Sequence, residues 1–566
     1  MRVSFARVIF AVFFLGIILR LFYWQTVKAD ELQSLAEKQR STSQKIEPKR
    51  GDILFSDGSV LASSKPTFLL YALPKTLTDE SKLKLSKLLS GILIKDDKEK
   101  AKELELDLKN KLLLNLYSVD LQKNISIENK KEIESLKPSG IGFKDSSSRF
   151  YPEGSSSAHL LGFVGSDSRG EATGYFGLEG EYNGELKGFS GLLKLEKDSA
   201  GAPILIGNFL GTTPRNGKNL ILNVDRTVQF IVEDNLKKGM EKYSAKSASA
   251  AVMDPKTGGI LALASFPSYD PGSFDQFPKE THKNPFVADS YEPGSTFKIL
   301  VMSGAINEEA VKSDTECDIC EGPVEVGGFE IRTWDKKYFP RLTMKDTIIH
   351  SDNTGMVFTG RKLGLDKLYS YIQNYGFGEK TNIDLQDEAS PDLRSKDNWR
   401  EIDLATTSFG QGIAVTPIQM LTAVSAIANG GKLMEPHVVK EVRDDSSVFE
   451  IKPKVVRQVI SENAAKIITD MMVAAVNEGE AKFAKPKGFN IAGKTGTAQI
   501  PVAGHYDPNK TIASFVGFAP PEDPKFVILV RYDQPTSSIF GAETAAPTFF
   551  EIAKQLFNYY KIAPSE

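Results

Sequence analysis

The chain has 566 residues, 41% of them hydrophobic, and its 70 basic and 73 acidic side chains leave a formal net charge of −3. This composition excludes a disordered or collagen-like chain, and at roughly 150 residues per domain the length asks for three or four folded units. The near-neutral balance gives no reason to expect a nucleic-acid partner. Two cysteines, Cys317 and Cys320, and five scattered histidines exclude a disulfide framework or a four-cysteine zinc site and argue against a metalloenzyme.

At the amino terminus, Val8 to Leu19 is unbroken apolar, and after Arg20 the pattern resumes with Leu21-Phe22-Tyr23-Trp24. The segment 8–24 reads as one membrane helix behind a short cytoplasmic tail, 1–7, with Tyr23 and Trp24 at the interface. Arg2 and Arg7 place that tail inside and the rest of the chain outside the cytoplasm. The alternative is a cleaved signal peptide, with Val27 and Ala29 as the small-residue cleavage site. Outside the cytoplasm a Cys317-x-x-Cys320 pair either closes a small disulfide or sits in a surface loop.

Residues 25–48 suit a stalk, because Ala29 to Gln39 is polar with helical periodicity. A folded pedestal of mixed α/β character follows over 49–211. Within it, 73–138 is rich in lysine, leucine and glutamate and predicts an inserted helical subdomain whose charges form a solvated face. Frequent glycines from Arg149 to Phe209 predict turns and short strands. A boundary falls near Thr212 to Asn219, where Pro214 and Gly217 interrupt any regular pattern. The remaining stretch, 212–566, reads as one large α+β domain. Ala250 to Asp254 and Ile260 to Ser265 form a predicted hairpin, Thr296 to Asn307 a helix buried all round, and Ile512 to Phe518 and Lys525 to Asp533 two strands before a helix from Ala546 to Tyr560. Strands at both ends with helices between them predict a central antiparallel sheet. No repeat of 20 to 50 residues is evident.

The sharpest chemical signal is Glu292-Pro293-Gly294-Ser295-Thr296-Phe297-Lys298, where a turn delivers a serine to the start of the buried helix and a lysine follows on the same helix face. A serine hydroxyl needs an adjacent base, and burial can lower a lysine's pKa enough to supply one. Ser351-Asp352-Asn353 follows the helical stretch Leu342 to His350, and Lys494-Thr495-Gly496-Thr497 lies in the strand-like stretch Phe489 to Ile500. Each motif has a decoy. Ser81 and Lys84 repeat S-x-x-K on a charged surface, Ser461-Glu462-Asn463 repeats S-x-N where Ser461 suits a helix cap, and Lys256-Thr257-Gly258 repeats K-T-G in the hairpin turn. Gly488 to Thr495 also matches G-x-x-x-x-G-K-T, but a phosphate loop needs a helix after the lysine, and Gly496 and Pro501 stand there instead. His350 and Asp352 are read as packing or turn residues.

The ordered trio is far more specific than its parts, with Ser295 and Ser351 56 residues apart and Ser351 and Lys494 143 apart. On these residues the chain resembles a class B penicillin-binding protein, the membrane-anchored D,D-transpeptidase of bacterial cell-wall synthesis. The resemblance extends through Arg50-Gly51-Asp52-Ile53, Arg149-Phe150-Tyr151-Pro152, Ala158-His159-Leu160-Leu161-Gly162 and Gly410-Gln411-Gly412-Ile413. It implies that Ser295 forms an acyl-enzyme from a stem peptide ending in D-Ala-D-Ala, that Lys298 is its base, and that Ser351 and Asn353 relay the leaving-group proton and hold the substrate. Lys494, Thr495, Gly496 and Thr497 are expected to bind the terminal carboxylate, and the Ser295 and Thr497 N–H groups to form the oxyanion hole. On the sequence alone, Lys494 reads as an exposed cation on an edge strand, beside a glycine that lets the substrate backbone approach. The resemblance implies β-lactams as covalent inhibitors, a membrane glycosyltransferase and other division proteins as partners, and no cofactor or metal. Phe540 to Pro547 and Ser514 to Pro520 look like the division-specific branch. A β-lactamase shares the trio, but E-x-x-L-N is absent between Ser351 and Lys494. A receptor would need more spans, while scaffolding is compatible with catalysis.

Overall fold

The computed structural model describes residues 2–196, 210–502 and 505–565, which fall into two units: 1–50 with 187–217, and 51–186 with 218–566. In the first unit α1 (Arg2–Phe22) runs into a π-helical segment, Tyr23–Val27. The apolar stretch long enough to cross a membrane is therefore Val3–Val27, 25 residues rather than the shorter 8–24 expected. The helix takes in Val3 to Arg7 because nothing there breaks it. The Arg20 guanidinium, the one charge within the apolar stretch after Arg7, lies 5.2 Å from the Trp24 ring centroid, where an aromatic face covers it. The stalk helix α2 spans Ala29–Arg40. The strands Ser41–Ile46, Gly191–Glu196 and Leu210–Thr212 form an antiparallel sheet.

The second unit contains two large sheets. In the first, Val60–Ala72 pairs with Ile53–Leu54, Ile141–Phe150 and Val119–Ile125. The insertion holds three helices, α3 (Asp79–Leu93), α4 (Lys98–Leu112) and α5 (Ile127–Ser135), as its composition predicted. The strand Val119–Ile125 was not expected there. Its inward residues Leu121 and Ile125 are buried, but the polar run between them obscures the period-two pattern. Ile53–Leu54 also pairs in parallel with Asn219–Leu222, so one sheet continues past residue 212. Two of the quoted motifs meet here, with Glu179 between them. Arg149 Nε donates to Glu179 at 2.5 Å and Nη1 to the Gly51 carbonyl at 2.7 Å, a buried ion pair with charge-assisted hydrogen bonds.

The second sheet is wholly antiparallel. After α6 (Arg226–Tyr243) come β1 (Ser247–Met253) and β2 (Ile260–Phe266), the predicted hairpin; the chain returns as β3 (Ala492–Val502), β4 (His505–Ala519) and β5 (Phe526–Asp533), giving the order β2-β1-β5-β4-β3. Alternation along the strands divides the core. Ala250, Val252, Ile528 and Val530 pack on the side of α6 and the last helix, Ala545–Tyr559. Ala251, Met253, Val527 and Leu529 pack on the opposite side, against helices of the 298–478 segment. The Ser295 turn approaches that second face.

Candidate active site

Pro293 ends a chain segment in which Tyr291 bridges Val415, and Gly294–Thr296 forms a single 3-10 turn leading into α7 (Lys298–Asn307). Every residue of α7 from Lys298 to Ile306 is buried, as its all-round apolar pattern predicted. The turn is fixed from outside by the Gly294 N–H, which donates to the Gly410 carbonyl at 2.9 Å. Gly410 has φ +83°, and a Cβ there would meet the Gly294 oxygen at 2.1 Å, so only glycine allows this crossing. Thus Gly410 of the quoted Gly410-Gln411-Gly412 motif is a support for the serine turn.

α8 (Met344–Ile349) begins with a capping box from Thr343 and Asp346 and ends just before Ser351, whose φ of +56° lies in the left-handed region. A non-glycine residue in that conformation costs about 1–2 kcal/mol and is held by its surroundings. Asp352 caps α9 (Asn353–Leu363), accepting from the Gly355 N–H at 2.9 Å and the Thr354 hydroxyl at 2.6 Å. The reversal between α8 and α9 aims Ser351 and Asn353 at α7. Lys298 Nζ donates to Asn353 Oδ1 at 2.8 Å, to the Ser351 carbonyl at 2.5 Å and to Ser351 Oγ at 3.4 Å. From the sheet, Lys494 Nζ donates to the same Oγ at 3.0 Å and to Thr495 Oγ1 at 3.2 Å. Five predicted residues from three distant segments, Lys298, Ser351, Asn353, Lys494 and Thr495, therefore share one hydrogen-bonded cluster. Ser295 is half-buried one turn before Lys298, and its hydroxyl has no hydrogen-bond partner among the described residues. Thr497 Oγ1 accepts the Gly541 N–H at 3.0 Å.

The structure corrects the expectation for Lys494. It lies on edge strand β3 but is only 3% exposed, because its side chain faces the helical layer, where α10 (Glu462–Glu478) covers β3. The neighbouring glycine also serves the chain itself. A Cβ at Gly496 would sit 2.9 Å from Thr296 Cγ2 and 3.2 Å from the Pro293 oxygen, so its absence lets the serine turn lie against the strand.

Burial sets the electrostatics. Lys298 is fully buried, and desolvation, then the Lys494 ammonium, hold it down to about 7 from an ordinary 10.5, against the opposing pull of Asp352 and Glu480. Burial brings Lys494 down to about 8, again against Glu480. A lysine near 7 is neutral often enough to accept a proton, and one near 8 remains mostly a cation. Glu480 was not found from the sequence. It follows α10 in a turn and lines a cavity of about 200 Å³ with Asp352 and His350.

The decoys separate cleanly. Lys84 pairs with Glu80 in solvent, the Ser461 hydroxyl accepts the Ala464 N–H as a helix cap, and the Thr257 hydroxyl donates to Asp254 within the hairpin turn. The phosphate-loop match fails because Lys494 is inside β3 rather than ahead of a helix. His350 is exposed and stacks on Phe339. Cys317 and Cys320, which the sequence left open, form a disulfide.

Residues 248–556 match the model of the penicillin binding protein transpeptidase domain, and residues 45–222 match that of the penicillin-binding protein dimerisation domain. The chain is 36% identical over 568 residues to Stage V sporulation protein D of Bacillus subtilis (strain 168), covering 100% of this chain and 86% of that protein. It is 30% identical over 570 residues to a probable peptidoglycan D,D-transpeptidase PenA of Neisseria meningitidis, with 100% and 94% covered. Among solved structures, a peptidoglycan synthetase from Bifidobacterium adolescentis superposes with a TM-score of 0.74 at 27% identity, covering 93% of this chain and 98% of that one.

Proposed function

This chain belongs to the penicillin-binding protein transpeptidase family, and from that premise we propose that it is a serine D,D-transpeptidase that cross-links peptidoglycan stem peptides and is acylated by β-lactams. One observation carries the assignment of roles: the cluster in which Lys298, Ser351, Asn353 and Lys494 meet beside the Ser295 turn. Neutral Lys298 takes the Ser295 proton as Oγ attacks the penultimate D-alanine carbonyl. Ser351, hydrogen-bonded to both lysines, passes a proton to the departing D-alanine amine, and Asn353 holds the substrate amide. Lys494, with Thr495, Gly496 and Thr497, receives the terminal carboxylate. The Ser295 and Thr497 N–H groups stabilise the oxyanion as it forms. An acceptor amine then resolves the ester and frees Ser295.

In this reading 49–211 is the pedestal and 212–566 the transpeptidase domain. α1 anchors the chain with its amino terminus in the cytoplasm, as Arg2 and Arg7 favour. The anchor and pedestal contact a membrane glycosyltransferase and division proteins, and the wall made is the septum, by the division-type motifs 514–520 and 540–547. A second reading, a spore-specific wall, is favoured by the 36% identity to a sporulation protein. Localisation of the tagged chain to midcell in growing cells supports the first; accumulation only during sporulation supports the second. Activity is tested with the detergent-solubilised full chain, a peptide ending in D-Ala-D-Ala and an amine. Release of D-alanine with formation of the new amide, abolished by Ser295→Ala, is the expected result. Release that survives the substitution contradicts the assignment.

A further inference from the structure

We propose that Glu292 forms the acceptor subsite, attracting the cationic amine of the second stem peptide to the acyl-enzyme on Ser295. This inference rests on the transpeptidase reading and adds to it the residue that selects the second substrate.

Glu292 lies three residues before the nucleophile and is half-buried. Its carboxylate accepts from the Gly412 N–H at 3.1 Å and from the Tyr506 hydroxyl at 3.2 Å to each oxygen, all neutral donors. Among the described residues it has no cationic partner, although a carboxylate withdrawn from water is normally paired. Burial accordingly raises its pKa. A missing cation beside a reactive serine is what a cationic substrate group would supply.

Strand β3 orders the site along its length. At one end Lys494 reaches Ser351 Oγ. In the middle, Gly496 faces Pro293 and Thr296, and a Cβ on Gly294 would lie 3.2 Å from the Ala498 Cβ. Further along, Pro501 is in register with Tyr506, which donates to Glu292. At about 3.4 Å per residue, Lys494 lies ~10 Å before Thr497 and Pro501 ~14 Å beyond it. The serine turn is thus flanked by the Lys494 ammonium on one side and an uncompensated carboxylate on the other. Transpeptidation needs this polarity, because the donor ends in a carboxylate and the acceptor arrives as an ammonium. Once bound, the ammonium loses one proton to solvent. Its nitrogen then forms the amide bond to the acyl carbon while the ester C–Oγ bond breaks, and the second N–H proton returns through Lys298 to Ser295 Oγ. Glu292 remains a carboxylate throughout.

The test uses the full chain in detergent, acylated by a D-alanyl thioester. Two competing amines are offered at about pH 7.5: Nα-acetyl-lysine amide, whose ε-amine is cationic, and methoxyamine, which is neutral. The ratio of the two amide products is read by mass spectrometry, so it does not depend on the acylation rate. Glu292→Gln is expected to lower the lysine-to-methoxyamine ratio about tenfold. In the wild type, raising ionic strength from about 0.05 to about 0.5 M should lower the same ratio by screening, and it decides the question even if the variant fails to fold. A ratio within about twofold of wild type in the variant, or a wild-type ratio indifferent to salt, would overturn the subsite while leaving the transpeptidase intact. Failure of the wild type to form any acyl-enzyme would overturn the transpeptidase reading, and the subsite with it.

Discussion

Replacing Lys494 by glutamine should make Lys298 a stronger base while weakening the enzyme. The two ammonium nitrogens lie 3.4 and 3.0 Å from the same Ser351 Oγ, so they are separated by at most about 6.4 Å, the sum of those distances. At an effective dielectric near 20, two unit charges that close repel by roughly 2.5 kcal/mol, equivalent to nearly two pH units in the titration of either. Burial still holds Lys298 down after the substitution, so the ascending limb of its acylation profile should move from about 7 to between roughly 8 and 9. The wild-type profile should be bell-shaped. Acylation rises as Lys298 loses its proton near 7 and falls as Lys494 loses its charge near 8, the two limbs belonging to the coupled pair. In Lys494→Gln the descending limb should vanish and the plateau should drop with loss of the carboxylate anchor. The assay is the second-order rate of penicillin acylation, quenched and read by mass, from about pH 5.5 to 10. A midpoint that stays near 7, or moves down, would refute the electrostatic coupling.

Gly496→Ala places a Cβ 2.5 Å from Ser514 Oγ and 2.9 Å from Thr296 Cγ2; acylation should fall at least about tenfold, with ~1–3 kcal/mol lost in chemical denaturation. Ser351→Gly and Ser351→Ala both delete the hydroxyl and should both lose acylation. Only glycine relieves the left-handed backbone, so Ser351→Gly should be the more stable by about 1 kcal/mol. Lys298 has a folded pKa near 7, below the 10.5 of the unfolded chain, so between those values the unfolded state binds more protons and stability rises with pH. Below about pH 7 both states are protonated and the burial penalty is complete. Relative to wild type, Lys298→Met should therefore gain most stability at about pH 6, on the order of a few kcal/mol, and the gap should narrow by about pH 10. A constant gap across that range would contradict the depressed pKa.

Much of this site could be read from the sequence because its chemistry is concentrated in short motifs. The all-apolar α7 required burial of Lys298, and the polar turn at Ser351 to Asn353 required a reversal between two helices. Decoys were separable by local context alone, as with Ser461 at a helix start and Thr257 in a hairpin. What stayed hidden depends on packing between distant segments. An edge strand suggests exposure, yet Lys494 is buried because α10 covers its face of β3. Gly496 reads as room for a substrate, while the atoms it admits are those of Pro293 and Thr296. Val119–Ile125 lacks enough apolar positions to reveal a strand within a charged insertion. Glu480 and Glu292 carry no local signal of their own, and they matter only through what the fold places beside them.

Intact-mass analysis after exposure to benzylpenicillin, followed by mapping of the modified peptide, tests the central claim most directly. A stable increase equal to the whole drug, confined to Ser295 and absent from Ser295→Ala, is the predicted result. An adduct on another residue, or intact drug with unmodified protein, would contradict the account. Hydrolysed drug with unmodified protein would instead identify a β-lactamase.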